Sequence, residues 1–327
     1  MKRIVFFNGH QNGDVANSRG VVEYVTSRLG RDYEYYFLTL RTELGPKGAI
    51  KFPDSVTIHN PITQGLLPFM PPGWNPDIKT AHERGEVYFL YEDTLFLNVW
   101  IGCSHYYQTS RVPKGGGITR ESLRQQACEV IDIIQEAGGP KLKYPTDLEI
   151  LSRRTTNPDN KVLVDDFIDK LMMEYRKVVL VCNGPVMSNQ TSQFNFGKIL
   201  QHTVEDCSDV AFVFTDRNFN PTSKNCLFTD DVFPVPNLSE IDYFSSSCSV
   251  IVSRMSGPGI ITMNQDNYLD STKTLISFTS DPNIGFEALG SDVEIENRQW
   301  VSPAGAQMVW TSDTTDQSII ATIKQYL

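Results

Sequence analysis

The chain has 327 residues, with 29 Lys and Arg against 39 Asp and Glu, a formal charge of −10, and 40% of its residues are hydrophobic. That length suits two domains of ordinary size and a core that needs no disulfide or metal staple. The acidic balance without a long basic run excludes a phosphate track for nucleic acid, and no window of eighteen apolar residues exists to span a bilayer.

The N-terminus, Met-Lys-Arg followed by four apolar residues, is too short for a signal peptide and reads as a first strand over residues 2–8. A cytoplasmic location is expected. The six cysteines are scattered without Cys-x-x-Cys, which excludes a zinc ribbon and predicts reduced core thiols. Val21, Val22, Val25 and Leu29 recur at helical spacing, with Asn17 or Ser18 as a cap. Strands are expected at 35–40, 55–59 and 94–100. Leu123, Ala127, Val130, Ile131 and Ile134 line a helix that Gly138, Gly139 and Pro140 stop.

The Pro-containing stretch 138–162 carries the expected domain boundary, giving domains 1–150 and 151–327. The second half predicts a helix over 164–175 and a strand at 177–182. A helix near 197–204 follows, then strands at 210–215 and 226–233. Next come a helix over 238–247, a strand at 249–253, a helix from Ser256, strands at 274–279 and within "QMVW", and a last helix holding Ile319, Ile320 and Ile323. Strand and helix alternate in both halves. The expected fold class is α/β, two Rossmann-like domains facing a central cleft, with ligands at the carboxyl ends of the strands.

Polar loops that follow apolar strands are where chemistry is expected. "NGHQNGDVANSR" ends the first strand, and His10 and Asp14 are its acid–base candidates, either of which can serve as general base. Asp in a first helical turn is also favoured by the helix dipole alone. Asn12, Gly13 and Arg19 complete this acceptor-side set. So do Trp100 and His105 from "NVWIGCSHYY", where aromatic faces suit sugar rings.

After "VVLVC" come Asn183, Gly184, Pro185, Ser188 and Ser192, a polar cradle for a sugar or phosphate. It matches neither G-x-G-x-x-G nor the P-loop, so a nicotinamide cofactor is not expected. "SVIVSRMSGPGIIT" supplies Ser253, Arg254, Ser256, Gly257 and Pro258, a strand-to-helix turn able to hold a diphosphate. Asp230 of "FTDDVF" is a candidate for a ribose or base hydroxyl. No Asp-x-Asp occurs in the chain, and no essential metal or cofactor is expected.

"NGDVANSRGVVEYV" and "VSRMSGPGIIT" resemble the two ends of a GT-B glycosyltransferase of the heptosyltransferase-like or fucosyltransferase-like kind. The resemblance implies two Rossmann-like domains, the N-terminal one for the acceptor and the C-terminal one for a nucleotide-sugar. It implies metal-independent, inverting transfer to a glycan, glycolipid or other hydroxyl acceptor. Asp14 falls at the base position, and Arg254, Ser256 and Gly257 fall beside the donor phosphates. Ile260 and Ile261 stand where heptosyltransferase-like enzymes have a His, which sets a heptose donor apart. A nucleotide-sugar epimerase or hydrolase on the same fold, or a non-catalytic sugar-binding protein, is the alternative.

Overall fold

The computed structural model describes residues 1–10, 12–40, 50–72, 87–104, 120–146, 148–185, 193–235, 237–254, 256–278, 299–301 and 305–327. These fall into two compact units, the first ending at Ser152 and the second running Arg153–Leu327.

In the first unit the strands are β1 (Arg3–Phe7), β2 (Glu34–Leu38), β3 (Val56–His59), β4 (Tyr88–Tyr91) and β5 (Thr94–Asn98). They form one sheet in the order β3-β2-β1-β5-β4, parallel except for the antiparallel edge strand β4. Helices α1 (Asn12–Leu29), α2 (Pro61–Gln64) and α3 (Arg120–Glu136) accompany it. The β1 sequence RIVFF and the β5 sequence TLFLN are buried runs rather than alternations, as central parallel strands covered on both faces require. Val5, Phe7, Leu38, Met70 and Phe96 pack as one apolar cluster.

β4 is absent from the sequence-based expectation. It joins β5 through Glu92–Asp93, and Glu92 adopts φ 51°, a turn made without the Asn-Gly or Asp-Gly signal that marks most two-residue hairpins.

The second unit has the strands β6 (Lys177–Cys182), β7 (Val210–Phe214), β8 (Cys226–Phe228), β9 (Val250–Arg254), β10 (Thr274–Phe278), β11 (Gln299–Val301) and β12 (Gln307–Thr311). Their order is β11-β12-β10-β9-β6-β7-β8, parallel except for edge strand β11. Its helices are α4 (Lys161–Glu174), α5 (Phe196–Asp206), α6 (Leu238–Ser245), α7 (Gly257–Thr262), α8 (Gln265–Leu269) and α9 (Asp316–Lys324). Val179, Val181, Phe196, Phe212, Phe214, Val252, Ile276 and Phe278 belong to one buried cluster on a face of this sheet.

In both units the order runs outward from the first strand in two directions. β2 and β3 lie on one side of β1, with β5 on the other; β7 and β8 lie on one side of β6, with β9 and β10 on the other. The strand order therefore reverses direction between β1 and β5 and between β6 and β9. Such switch points, at the carboxyl ends of the strands, are where open α/β sheets bind ligands.

Candidate functional site

At the first switch point, β1 and β5 end in the same device. Asn8 and Asn98 follow or close these strands and are 0% and 2% exposed. Asn8 Oδ1 accepts from the backbone N–H of His10 at 2.9 Å, and Asn98 Oδ1 accepts from that of Trp100 at 3.0 Å. Each is an Asx turn, in which a short amide side chain bonds the backbone two residues on. Because Phe7 and Asn98 are register partners, the two turns lie side by side. The rings they carry meet: His10 stacks on Trp100 with centroids 3.6 Å apart and planes 15° from parallel.

The turns are stitched together below the rings. Asn8 Nδ2 donates to Ser18 Oγ at 2.7 Å and to the Asp14 carbonyl at 3.2 Å. Ser18 Oγ in turn lies 2.7 Å from the Val99 carbonyl oxygen. Asn98 Nδ2 donates to Cys103 Sγ at 3.1 Å, and burial pushes that thiol up to about 12. Gly102 is needed by close approach: a Cβ there would lie 2.5–2.8 Å from three atoms of the Trp100 indole.

Asp14 and Gly13 lie in the first turn of α1, and Asn12 opens it. Arg19 points away from solvent: it is 4% exposed, and its Nε donates to Glu23 at 2.6 Å. His105 lies outside the described residues.

The second switch point is built around Arg254, which β9 pairing places at its carboxyl end opposite Phe278. Its side chain is buried, 3% exposed. Nε donates to the Gly184 carbonyl at 3.0 Å, Nη2 to the Asn183 carbonyl at 2.5 Å, and Nη1 to the Phe194 carbonyl. Among the described residues all its hydrogen bonds go to backbone carbonyls and none to a carboxylate. Burial pulls the guanidinium below its ordinary pKa, opposed at longer range by the charge of Asp216. A planar fork of donors suits this clasp, which closes both ends of the loop after β6 onto β9.

Asn183 is also fully buried. Its side chain pairs with the backbone of Asp216 as another peptide would, accepting from N–H at 2.8 Å and donating to the carbonyl at 2.7 Å. Asn218 adds a bond from Nδ2 to the Asn183 carbonyl. Asn195 caps α5 and donates to the Asn218 carbonyl at 3.0 Å. Phe219 then lies against Gly197, where a Cβ would sit 1.9 Å from its ring.

Pro258 packs against Gly184, about van der Waals distance from where a Cβ would be, at 3.5 Å. Ser253 Oγ donates to Ser277 Oγ at 3.3 Å. Ser256 precedes α7 without capping it, and its Oγ, in a residue 3% exposed, has no partner among the described residues. Buried polar atoms are nearly always paired, so an orphan hydroxyl marks a place for a ligand or water.

Asn183, Gly184, Ser253, Arg254, Ser256, Gly257 and Pro258 thus gather at the ends of β6 and β9. Pro185 continues the same loop, whereas Ser188 and Ser192 lie outside the described residues. Asp230 is not brought to this group. It sits in the turn Thr229–Asp231 after edge strand β8 and, with Asp231, faces the exposed Arg217, 3.4 Å from its Nη2. β8 is three strand steps from β9, roughly 14 Å at the usual spacing.

Asp216 and Asn218 were not among the sequence candidates, although "FTDRNFN" shows the same signal, polar residues after an apolar strand. Asn8 and Asn98 were not among them either, although Asn-x-aromatic at two strand ends is a signal that could have found them.

All six cysteines are free thiols. Among the described residues no group of three or more His, Cys, Asp or Glu converges as metal ligands do, and no helix is long and apolar enough to cross a membrane.

No family model matches the sequence, and no curated protein matches it either. Solved structures do match. An E. coli ADP-heptose lipopolysaccharide heptosyltransferase II superposes with a TM-score of 0.51 at 10% identity, over 100% of this chain and 98% of that one. E. coli heptosyltransferase WaaC with ADP gives 0.50 at 10% identity, over 99% of this chain and 100% of the other. A UDP-GlcNAc 2-epimerase from Neisseria meningitidis, bound to UDP-GlcNAc, superposes more loosely, with a TM-score of 0.44 at 12% identity over 99% and 91%. At such identities the likeness is one of fold. The chain has the fold of the GT-B glycosyltransferases, two parallel-sheet α/β domains in succession.

Proposed function

We propose that the protein is a glycosyltransferase that moves a sugar from a nucleotide-sugar donor to a hydroxyl acceptor. The observation that carries this reading is Arg254: a buried cation at a topological switch point, bonded only to carbonyls among the described residues, beside the orphan hydroxyl of Ser256. A buried charge without a counter-ion is costly, and a bound diphosphate supplies one. The two heptosyltransferases with the same fold, one of them bound to ADP, support a nucleotide-linked donor.

In this reading the C-terminal unit holds the donor and the N-terminal unit the acceptor, a glycan or glycolipid. A base from the loop after β1, Asp14 or His10, takes the acceptor hydroxyl's proton. The oxygen attacks the anomeric carbon from the face opposite the diphosphate, so configuration inverts. Charge that builds on the leaving diphosphate is met by Arg254 and the Ser256 hydroxyl, which do the electrostatic work a metal does elsewhere. Asn183 acts indirectly, since its amide is committed to the Asp216 backbone and shapes the loop. Six free thiols and a nucleotide-sugar donor support a cytoplasmic enzyme.

A thermal-shift screen over UDP-, GDP-, dTDP-, ADP- and CMP-sugars tests the reading. A donor at about a hundred times its Kd adds about 2.7 kcal/mol of stability and raises Tm. Product analysis with acceptor and EDTA then separates transfer from hydrolysis or epimerisation. A flat response to every nucleotide sugar overturns the proposal.

A further inference from the structure

The twin Asx turns have a chemical consequence for His10. Its backbone is held by Asn8 and its ring by Trp100, and Trp100 is held in turn by Asn98, Gly102 and the turn Ile101–Cys103. A stack with centroids 3.6 Å apart and planes 15° from parallel fixes the plane of the imidazole against the indole. His10 and Trp100 are both only partly buried at the switch point. A proton acceptor works best when its geometry is fixed before the reaction, because a misplacement of about 1 Å costs on the order of 100-fold in rate.

We propose that Trp100 is a positioning residue and that His10, aligned by it, is the group that takes the acceptor's proton. This rests on the transferase reading above and chooses between the two bases that reading leaves open. In the step, the acceptor O–H bond breaks and its proton passes to an imidazole nitrogen. The freed electron pair forms the bond to the anomeric carbon. The bond from that carbon to the diphosphate oxygen breaks, and its pair leaves with the diphosphate. Trp100 touches none of the reacting atoms.

The test has two parts. The first uses the full chain without substrate. A protonated imidazole quenches an indole stacked on it, so the emission lost on Trp100→Phe should be the acid-sensitive share of the four tryptophans' signal. His10→Gln should remove that acid sensitivity. An acid response unchanged in His10→Gln overturns the stack and the proposal with it.

The second part measures turnover of the nucleotide sugar selected by the binding screen. Trp100→Leu should lower kcat about 10- to 100-fold and move the acid limb of the pH–rate profile, with nucleotide affinity unchanged. Trp100→Phe, which keeps an aromatic face, should recover most of the rate. Wild-type kcat and pH profile in Trp100→Leu overturn this proposal and leave the transferase reading standing. Absence of any nucleotide-sugar turnover in the wild type overturns both, even where the acid quenching persists.

Discussion

The two switch points solve the same problem in opposite ways. In the first unit, strand-end asparagines bond their own chain two residues on and present rings that remain partly exposed. In the second, strand-end Asn183 and Arg254 are buried and bond across the sheet, over separations of 33 to 71 residues. A group that exchanges protons with a substrate needs reach and fixed orientation, and local turns supply both. A group that holds charge against a leaving anion gains from low dielectric, which requires burial and a frame drawn from distant segments.

That division is open to attack, beginning with its largest expected effect. His10→Gln should lower turnover by about 10²–10⁴-fold while leaving nucleotide affinity unchanged. Asp14→Asn is the control: a larger loss there than in His10→Gln would return the base role to Asp14. Loss of nucleotide affinity in His10→Gln, measured by calorimetry, would break the comparison itself.

Next in size is Arg254→Ala. Nucleotide Kd should rise about 10- to 100-fold, the range for a hydrogen bond to a charged group. The substitution also strands the carbonyls of Gly184 and Phe194 and leaves that of Asn183 to Asn218 alone, so the chemical denaturation midpoint should fall. Arg254→Lys keeps the charge without the fork and should recover little of either. Unchanged nucleotide binding in Arg254→Ala would remove the basis for assigning the donor to this unit.

Gly197→Ala probes the frame alone. The new methyl meets the Phe219 ring, and overpacking of this kind costs about 1–3 kcal/mol, readable by urea denaturation. The smallest effect belongs to Ser256→Ala. Its hydroxyl has no partner among the described residues, so stability of the free protein should hold or rise. Nucleotide Kd should rise about 2- to 10-fold, the worth of a single neutral hydrogen bond. A clear loss of stability would show that the hydroxyl is already satisfied.

What the sequence discloses follows the same divide. The central strands were legible because RIVFF, TLFLN, KVVLVC and VAFVF are buried runs between polar loops. β4 was not, since its turn is made by Glu92 and Asp93 and carries no glycine. The candidate loops were found from their polarity, but polarity does not say which side chain faces a ligand. Arg19 reads as a ligand in the sequence and is buried on Glu23 in the fold. Trp100 reads as a sugar platform, and His10 is stacked on its ring. Asp230 reads as a donor contact and belongs to the Arg217 pair at the sheet edge. Each of these outcomes depends on a partner that pairing and packing supply, whereas the Asx turns close within three residues.

Gly197 has a meaning for descent as well as for stability. It lies in the first turn of α5, and the atoms nearest to where its Cβ would be belong to Phe219, next in the chain to Asn218. Asn218 bonds Asn183, and Arg254 bonds the same Asn183 carbonyl group. A lineage could keep every polar residue at the ends of β6 and β9 and still weaken the frame that orients them through one added methyl at this position. A related chain should therefore be judged first at this glycine, to which no binding or catalytic role is assigned.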